Sequence, residues 1–514
     1  LFGGNRVNFS TPTHEMKQLF LYLLFAALLR GALVMQAATT YTEFYCQTTG
    51  NNLNAGSTTA DSAAHTYTSA IVAGGWDSTT GIFTVASGNP AADNVALGDW
   101  ASVYVTSGAT VATFVARVTA TNSTTITVSL TAKSGTAPAT DALGATTLKH
   151  GGAWKGPNAA ASFPFNFVQN TMTDSGGNVP CVNIKSGTSY SMTAGITHSL
   201  AGPTRWQGYT TSVRDGGKFT IAGATSGSSY TAFTLSGVNN DLVDCIIQNN
   251  GSTGSAAGIS ATGGECLIQG VVVNSVRGHG VNVATASSTL IECEAYACNQ
   301  SNTAALAGFF DAVTGTEFIR CISHDNAGSN TSGFRVSTGT TTLCLFSECI
   351  SDTNGEYGFA LGSQGSNWIL NCDAYNNILD GVDLNSTAAC FALIENSNFV
   401  KNGGWGINTS GSATLRNGLI INCGFGSGTQ TNYLGQINTI AGINIVNSQT
   451  YTANATPWVD PANGDFRINL VGAKGTGRGT FTETAASYTG TVGKPDIGAA
   501  QGTSIRSATS TFSQ

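Results

Sequence analysis

Between Leu242 and Cys423 the chain repeats one short apolar strand, and this repeat organises everything else. The strand recurs as Leu242-Val243-Asp244-Cys245, Leu267-Ile268-Gln269-Gly270, Leu290-Ile291-Glu292-Cys293, Phe318-Ile319-Arg320-Cys321, Phe346-Ser347-Glu348-Cys349, Ile369-Leu370-Asn371-Cys372, Leu393-Ile394-Glu395-Asn396 and Ile420-Ile421-Asn422-Cys423. The steps between last positions are 25, 23, 28, 28, 23, 24 and 27 residues, the length of a solenoid coil of three short strands with their turns. Asn250, Asn274, Asn299, Asn326, Asn354, Asn377 and Asn402 form a second column, suited to a bend because Asn tolerates the left-handed backbone region. A third column pairs Gly with an aliphatic or aromatic residue: Gly258-Ile259, Gly280-Val281, Gly308-Phe309, Gly333-Phe334, Gly358-Phe359, Gly381-Val382 and Gly406-Ile407. Here Gly is expected to turn the chain and its successor to enter the core. Asp244, Glu292, Arg320, Glu348 and Glu395 each precede a column position and have apolar neighbours, the alternation of a half-buried strand. The cysteines then stack inside as a reduced ladder, since a buried thiol behaves as a small hydrophobe. One coil leaves its backbone groups unpaired above and below, and the next satisfies them at a spacing of about 4.8 Å. The pattern predicts an all-β chain: a right-handed single-stranded parallel β-helix, or solenoid, with an N-terminal β-rich module.

Outside the repeat, Ile82 to Val85, Trp100 to Val105, Val111 to Val118 and Thr125 to Leu130 read as short strands between Gly, Asn and Ser, a small β module or an insertion near the start of the solenoid. Pro180 to Tyr190 reads as an early coil. The expected organisation is upstream sequence with a possible signal peptide over 1–38, an N-terminal capping or attachment module over 39–165, the β-helix over 166–450, and a closing segment with a tail over 451–514. The apolar run from Leu19 to Leu29 suits a signal-peptide core and is too short to span a bilayer. A start at Met16 therefore implies secretion, and a start at Met35 a virion or soluble protein. No membrane span is expected in the mature chain.

Composition narrows the partners. Only 10% of residues are charged, 64 are Gly and 41% are hydrophobic, which fits a turn-rich β fold with an extended core. The net charge of −7 without a Lys/Arg cluster argues against nucleic acid. Twelve cysteines could signal a disulfide framework, but most recur at one place in the repeat; with six His and no Cys-x-x-Cys pair, no metal site is expected.

The coil pattern resembles the pectin-lyase-like superfamily of right-handed β-helix proteins, including phage tailspike-like and secreted members. The resemblance covers roughly Tyr41 to Gln501. It rests on the repeat, on Phe44-Tyr45-Cys46 with Asn54-Ala55-Gly56-Ser57, and on Ile184-Lys185-Ser186-Gly187-Thr188. Two C-terminal pieces, Asp460-Pro461-Ala462-Asn463-Gly464-Asp465-Phe466-Arg467 and Pro495-Asp496-Ile497-Gly498-Ala499, look like closing segments of such proteins. The resemblance implies a fold more than an activity, because the superfamily holds lyases, hydrolases, tailspikes, adhesins and proteins without known activity. It makes a homotrimer possible, and it implies calcium only if the protein is a lyase; otherwise no cofactor is expected.

Gly278-His279-Gly280 is similar to a polygalacturonase motif, but the paired aspartates and the Arg-x-Lys that accompany it there are missing, and Gly280 belongs to the structural column. Asp380 and Asp383 flank another column glycine, Gly381, and read as turn carboxylates; no compact acidic cluster with a basic residue in neighbouring coils is evident. One row stands out. Three residues past the reference Cys in four consecutive coils lie Tyr296, His324, Asp352 and Tyr375. In register they would project outward, two aromatic faces with an imidazole and a carboxylate between them. Such a row suits stacking and hydrogen bonding along a sugar chain, and His324 with Asp352 could serve as an acid/base pair. The alternative is a row of ordinary strand-end residues. The leading expectation is an extracellular or virion surface protein that presents a glycan- or host-binding face without strong catalysis. The alternatives are a secreted polysaccharide lyase or glycoside hydrolase and a purely structural cell-surface protein.

Overall fold

A computed structural model describes residues 41–47, 67–135 and 179–408 with gaps, 146–150, and short stretches between 418 and 468. The run at 19–29, both candidate start methionines, Asn54 to Ser57, Cys423 and Pro495 to Ala499 lie outside the described residues.

Strands dominate, and their order is that of a parallel β-helix. Among the described residues, a twelve-stranded first sheet, an eleven-stranded second and a nine-stranded third are each built by adding strands from successive coils, always parallel to the last. In one coil Leu343–Ser347 lies in the first sheet, Ile350–Asp352 in the second and Phe359–Leu361 in the third. Tyr41–Cys46 pairs in parallel with Val179–Lys185, so the first sheet begins at residue 41. Between those two strands six others close an antiparallel barrel that runs from Tyr67–Asp77 to Thr146–His150. Ile82–Val85 and Trp100–Val105 have the bounds that the alternation predicts. The barrel has its own core, in which Trp76 stacks on Phe83.

The register corrects several sequence assignments. Asp244, Glu292, Arg320 and Glu348 are not strand residues: their φ angles of 54, 54, 52 and 56° make each the single left-handed residue that turns the chain from first to second sheet. An L-residue pays roughly 1–2 kcal/mol for that conformation. The ladder offsets the cost, because their amides still reach the next coil, as in Glu292 N–H to Ile319 O at 2.9 Å and Arg320 N–H to Ser347 O at 2.9 Å. Gly270 and Asn396, aligned with the cysteines in sequence, also occupy this bend at φ 63 and 49°. Leu242 pairs with Ile268, and Leu370 with Glu395, so both coils shift by one and Val271 and Ser397 fill the cysteine column. Glu395 itself is a buried strand residue.

That column is a stack of buried thiols. Cys293, Cys321, Cys349 and Cys372 each donate to a carbonyl of the preceding coil, at 3.2, 3.5, 3.3 and 3.5 Å. Burial pushes the Cys293, Cys321 and Cys349 thiols well above their ordinary pKa, as expected of inert core groups.

The asparagine column is a hydrogen-bonded ladder, and its members are not the left-handed residues. That conformation falls on the residue before, such as Asp325, Thr353, Asn376 and Lys401. The Asn326 amide donates to Asn354 Oδ1 at 2.7 Å, Asn354 to Asn377 at 2.9 Å, and Asn377 to Asn402 at 2.8 Å. Asn274 and Asn299 do not belong to it. Asn274 pairs with Gln248 and Tyr296 within the second sheet, and Asn299 follows Cys298.

The glycine column is in register throughout, since Ile259, Val281, Phe309, Phe334, Phe359, Val382 and Ile407 pair in sequence. Its reason differs from the expected one. None of these glycines has a left-handed φ; what excludes a side chain is proximity. A Cβ on Gly333 would stand 2.0 Å from Ser351 Oγ and 2.9 Å from Gly358 O. Gly333→Ala is therefore expected to destabilise the protein by about 1–3 kcal/mol, the usual cost of overpacking, read as a lowered denaturant midpoint.

Candidate functional site

Sheet register decides whether the four-residue row exists, and it does. Tyr296 pairs with His324, His324 with Asp352 and Asp352 with Tyr375, on consecutive strands of the second sheet. The residues between them and the first strand positions, Ala295, Ser323, Ser351 and Ala374, point inward and are fully buried. By the period of two, the row faces outward.

Outward is not the same as exposed. Tyr296 is half-buried, but His324, Asp352 and Tyr375 are only 9%, 3% and 6% accessible. The C-terminal hairpin explains one end: Trp458 and Phe466 set their rings against Tyr375 edge to face, at 5.5 and 6.1 Å. That hairpin, Trp458–Asp460 paired with Asp465–Ile468, carries the Asp460 to Arg467 motif. On the other side of Tyr375, the Lys401 ammonium lies 5.6 Å from the ring centre and 3.4 Å from the hydroxyl.

His324 is the most constrained group of the row. Its Nε2 lies 2.7 Å from Glu294 Oε1 and its Nδ1 2.7 Å from Asp325 Oδ2, so carboxylates hold both ring nitrogens. Tyr296 stacks on the imidazole with centroids 5.0 Å apart and planes 14° from parallel. Burial, and then Glu294, raise the Tyr296 phenol above its ordinary pKa, which keeps it neutral as a donor. Asp352 accepts from Thr353 Oγ1 at 2.6 Å. The arrangement is a fixed aromatic step bounded by carboxylates, able to take the apolar face of a sugar ring and bond its hydroxyls. A base poised for proton transfer needs a nitrogen turned to its substrate. Here both are already bonded within the protein.

The sequence reading missed Glu294 and Asp325, although the signal was present: Glu294 lies two residues before Tyr296 on the same strand and shares its face, and Asp325 occupies the bend that follows His324. Trp458 and Phe466 carried no such signal, because they arrive from outside the repeat. Among the described residues no group of three or more His, Cys, Asp or Glu comes together as a metal site, and no helix is long and apolar enough to cross a membrane.

No protein-family profile matches the chain, and no curated protein sequence does. Solved structures with similar backbones are a pectate lyase, Pel9A (15% identity, TM-score 0.41, covering 62% of this chain and 87% of that one), and the A-module of the Azotobacter vinelandii mannuronan C-5 epimerase AlgE4 (12% identity, TM-score 0.38, covering 54% and 87%). A third is ORF18 of Geobacillus virus E2 (14% identity, TM-score 0.34, covering 56% of each).

Proposed function

We propose that this chain is a surface β-helix protein, extracellular or on a virion, that binds a glycan along the outer face of its second sheet and has no strong catalytic activity. The observation that carries this reading is the Tyr296–His324 stack with both imidazole nitrogens tied to carboxylates. Preorganised aromatic surface favours binding, while a histidine with no nitrogen turned outward is poorly placed to pair with Asp352 in acid/base chemistry.

The test incubates the protein with acidic and neutral polysaccharides while following retention, unsaturated products and new reducing ends. Retention without products is expected. Tyr296→Ala should weaken it about 2- to 10-fold, the range of one aromatic contact. Product formation that Asp352→Ala abolishes would replace this reading with that of a polysaccharide lyase or glycoside hydrolase, and neither binding nor products would leave a purely structural role.

A further inference from the structure

Three members of the asparagine column stand immediately before a glycine: Asn250-Gly251, Asn354-Gly355 and Asn402-Gly403. Each half of the pair has its own reason. The asparagines are fully buried and bonded from coil to coil: Asn250 Oδ1 accepts the Arg277 amide at 2.9 Å, Asn354 Oδ1 the Asn326 side chain at 2.7 Å, and Asn402 Oδ1 the Asn377 amide at 3.1 Å. The glycines answer to crowding. A Cβ would stand 2.6 Å from Ser229 Cα on Gly251, 2.0 Å from Gly328 O on Gly355 and 2.1 Å from Ile378 O on Gly403. At these bends the solenoid therefore uses the dipeptide whose asparagine is most easily hydrolysed by its own backbone.

In a flexible chain the glycine amide nitrogen loses its proton to base and attacks the asparagine Cγ. A new C–N bond closes a succinimide ring, the bond from Cγ to the side-chain nitrogen breaks, and ammonia leaves with a proton from solvent. Water then adds to either ring carbonyl and reopens the ring as aspartate or isoaspartate. One water is consumed and one ammonia released, with no oxidant or cofactor. Glycine favours the attack because no side chain shields its nitrogen and its backbone turns freely.

The fold closes both ends of that path. Gly251 donates its N–H to Ala224 O at 2.7 Å, Gly355 to Asn326 O at 3.0 Å and Gly403 to Asn377 O at 2.8 Å, each in the preceding coil. The proton that must leave first is thus the proton of an inter-coil bond, and it is lost only from an opened state. The leaving group is tied as well: Nδ2 of Asn250 donates to Ala256 O at 2.8 Å, that of Asn354 to Ser323 O at 3.1 Å and that of Asn402 to Ala374 O at 3.0 Å. After conversion the same places hold a carboxylate that faces these carbonyls with no proton to offer, and isoaspartate also adds a main-chain atom to a bend whose register neighbouring coils share. We propose that Asn250, Asn354 and Asn402 are self-modification sites, closed by the coils and opened by unfolding, so that an unfolded chain loses with time the ability to refold.

The test holds the full chain at mildly alkaline pH, one sample folded and one unfolded in denaturant, and follows the three sites by peptide mass spectrometry. All three should convert in the unfolded sample and at least about 100-fold more slowly in the folded one, the protection of a position that reacts only from an opened state. Aliquots diluted from denaturant should regain less native circular dichroism as conversion proceeds, whereas a sample unfolded at mildly acidic pH, where the amide keeps its proton, should regain as much as an aliquot diluted at once. The refolded fraction should retain asparagine at all three sites, whatever has happened at Asn463, which precedes Gly464 and is exposed in the C-terminal hairpin. Asn354→Asp, which carries the product from the start, should fail to fold or unfold well below the parent midpoint. The inference is overturned if the folded chain converts as fast as the unfolded one, if converted chains refold as well as unconverted ones, if refolding is lost equally at mildly acidic pH, or if Asn354→Asp keeps the parent midpoint.

Discussion

Phe334→Ala should lower the stability of the solenoid by about 3–5 kcal/mol, the range for truncating a buried aromatic side chain. Phe334 is fully buried where two aromatic columns meet. In the third-sheet column it stacks on Phe309 and Phe359, both at 5.0 Å; across the core it meets Phe318 and Phe346 edge to face, at 5.8 and 5.6 Å. Phe318 and Phe346 stack on each other at 5.1 Å. A cavity at Phe334 therefore removes contacts in two coils above and below as well as across the core, and close packing on every side limits collapse into it. Denaturant unfolding followed by far-UV circular dichroism checks the midpoint, with Leu343→Ala, at an exposed strand end, expected within about 0.5 kcal/mol of the parent. A double-mutant cycle between Phe334→Leu and Phe346→Leu should show a coupling of about 0.5–1.5 kcal/mol.

Asn377→Leu should cost about as much, through polar groups rather than volume. Asn377 Oδ1 accepts from the Asn354 amide N–H at 3.1 Å and from its side chain at 2.9 Å, while Nδ2 donates to Ser351 O at 3.1 Å and Asn402 Oδ1 at 2.8 Å. Leucine has a similar size but removes all four bonds, and each buried group left unsatisfied costs about 1–3 kcal/mol. A loss of about 3–5 kcal/mol is expected, together with faster amide exchange at Asn354, whose N–H loses its acceptor. Slow exchange at Asn354 in the variant would show that a rearranged ladder or a buried water had replaced the bond.

The contrast between columns shows what the sequence could disclose. The register of the glycine column was readable because Gly and an apolar residue fall together at each of the seven rungs from Gly258 to Gly406, whereas its reason, crowding and not a left-handed turn, was not. The cysteine column slipped by one and the asparagine column by one or two where the marker residue was absent. Val271 and Ser397 fill the thiol position while Gly270 and Asn396 mimic it one residue early, and Val276 and Cys298 interrupt the ladder that Asn274 and Asn299 imitate. Strand pairing resolves such slips because backbone hydrogen bonds count residues and side-chain identity does not. The site followed the same rule. Tyr296, His324, Asp352 and Tyr375 were legible as a row, since their offset from the repeat is constant. The burial of Tyr375 was not legible, because it comes from Trp458 and Phe466, which no periodicity links to the row. Asp380 was legible as a carboxylate but not as the acceptor of Trp405 N–H and Asn408 Nδ2, which requires the register of the next coil.

The antiparallel barrel separates two strands that lie side by side in the first sheet. Between Cys46 and Val179 the chain makes an excursion of 132 residues. The barrel's own ends meet, since Tyr67 pairs with His150. Once it has closed, the excursion counts for loop closure as the 48 positions outside the barrel, 47–66 and 151–178. Loop-closure entropy grows only with the logarithm of length, so replacing the barrel by a direct join of those two stretches of sequence alters the closure cost by nothing beyond about 1 kcal/mol. The solenoid is in this respect indifferent to what its excursion carries. The barrel can be exchanged or removed while the coils keep their register, which makes it a replaceable cargo on a self-sufficient spool.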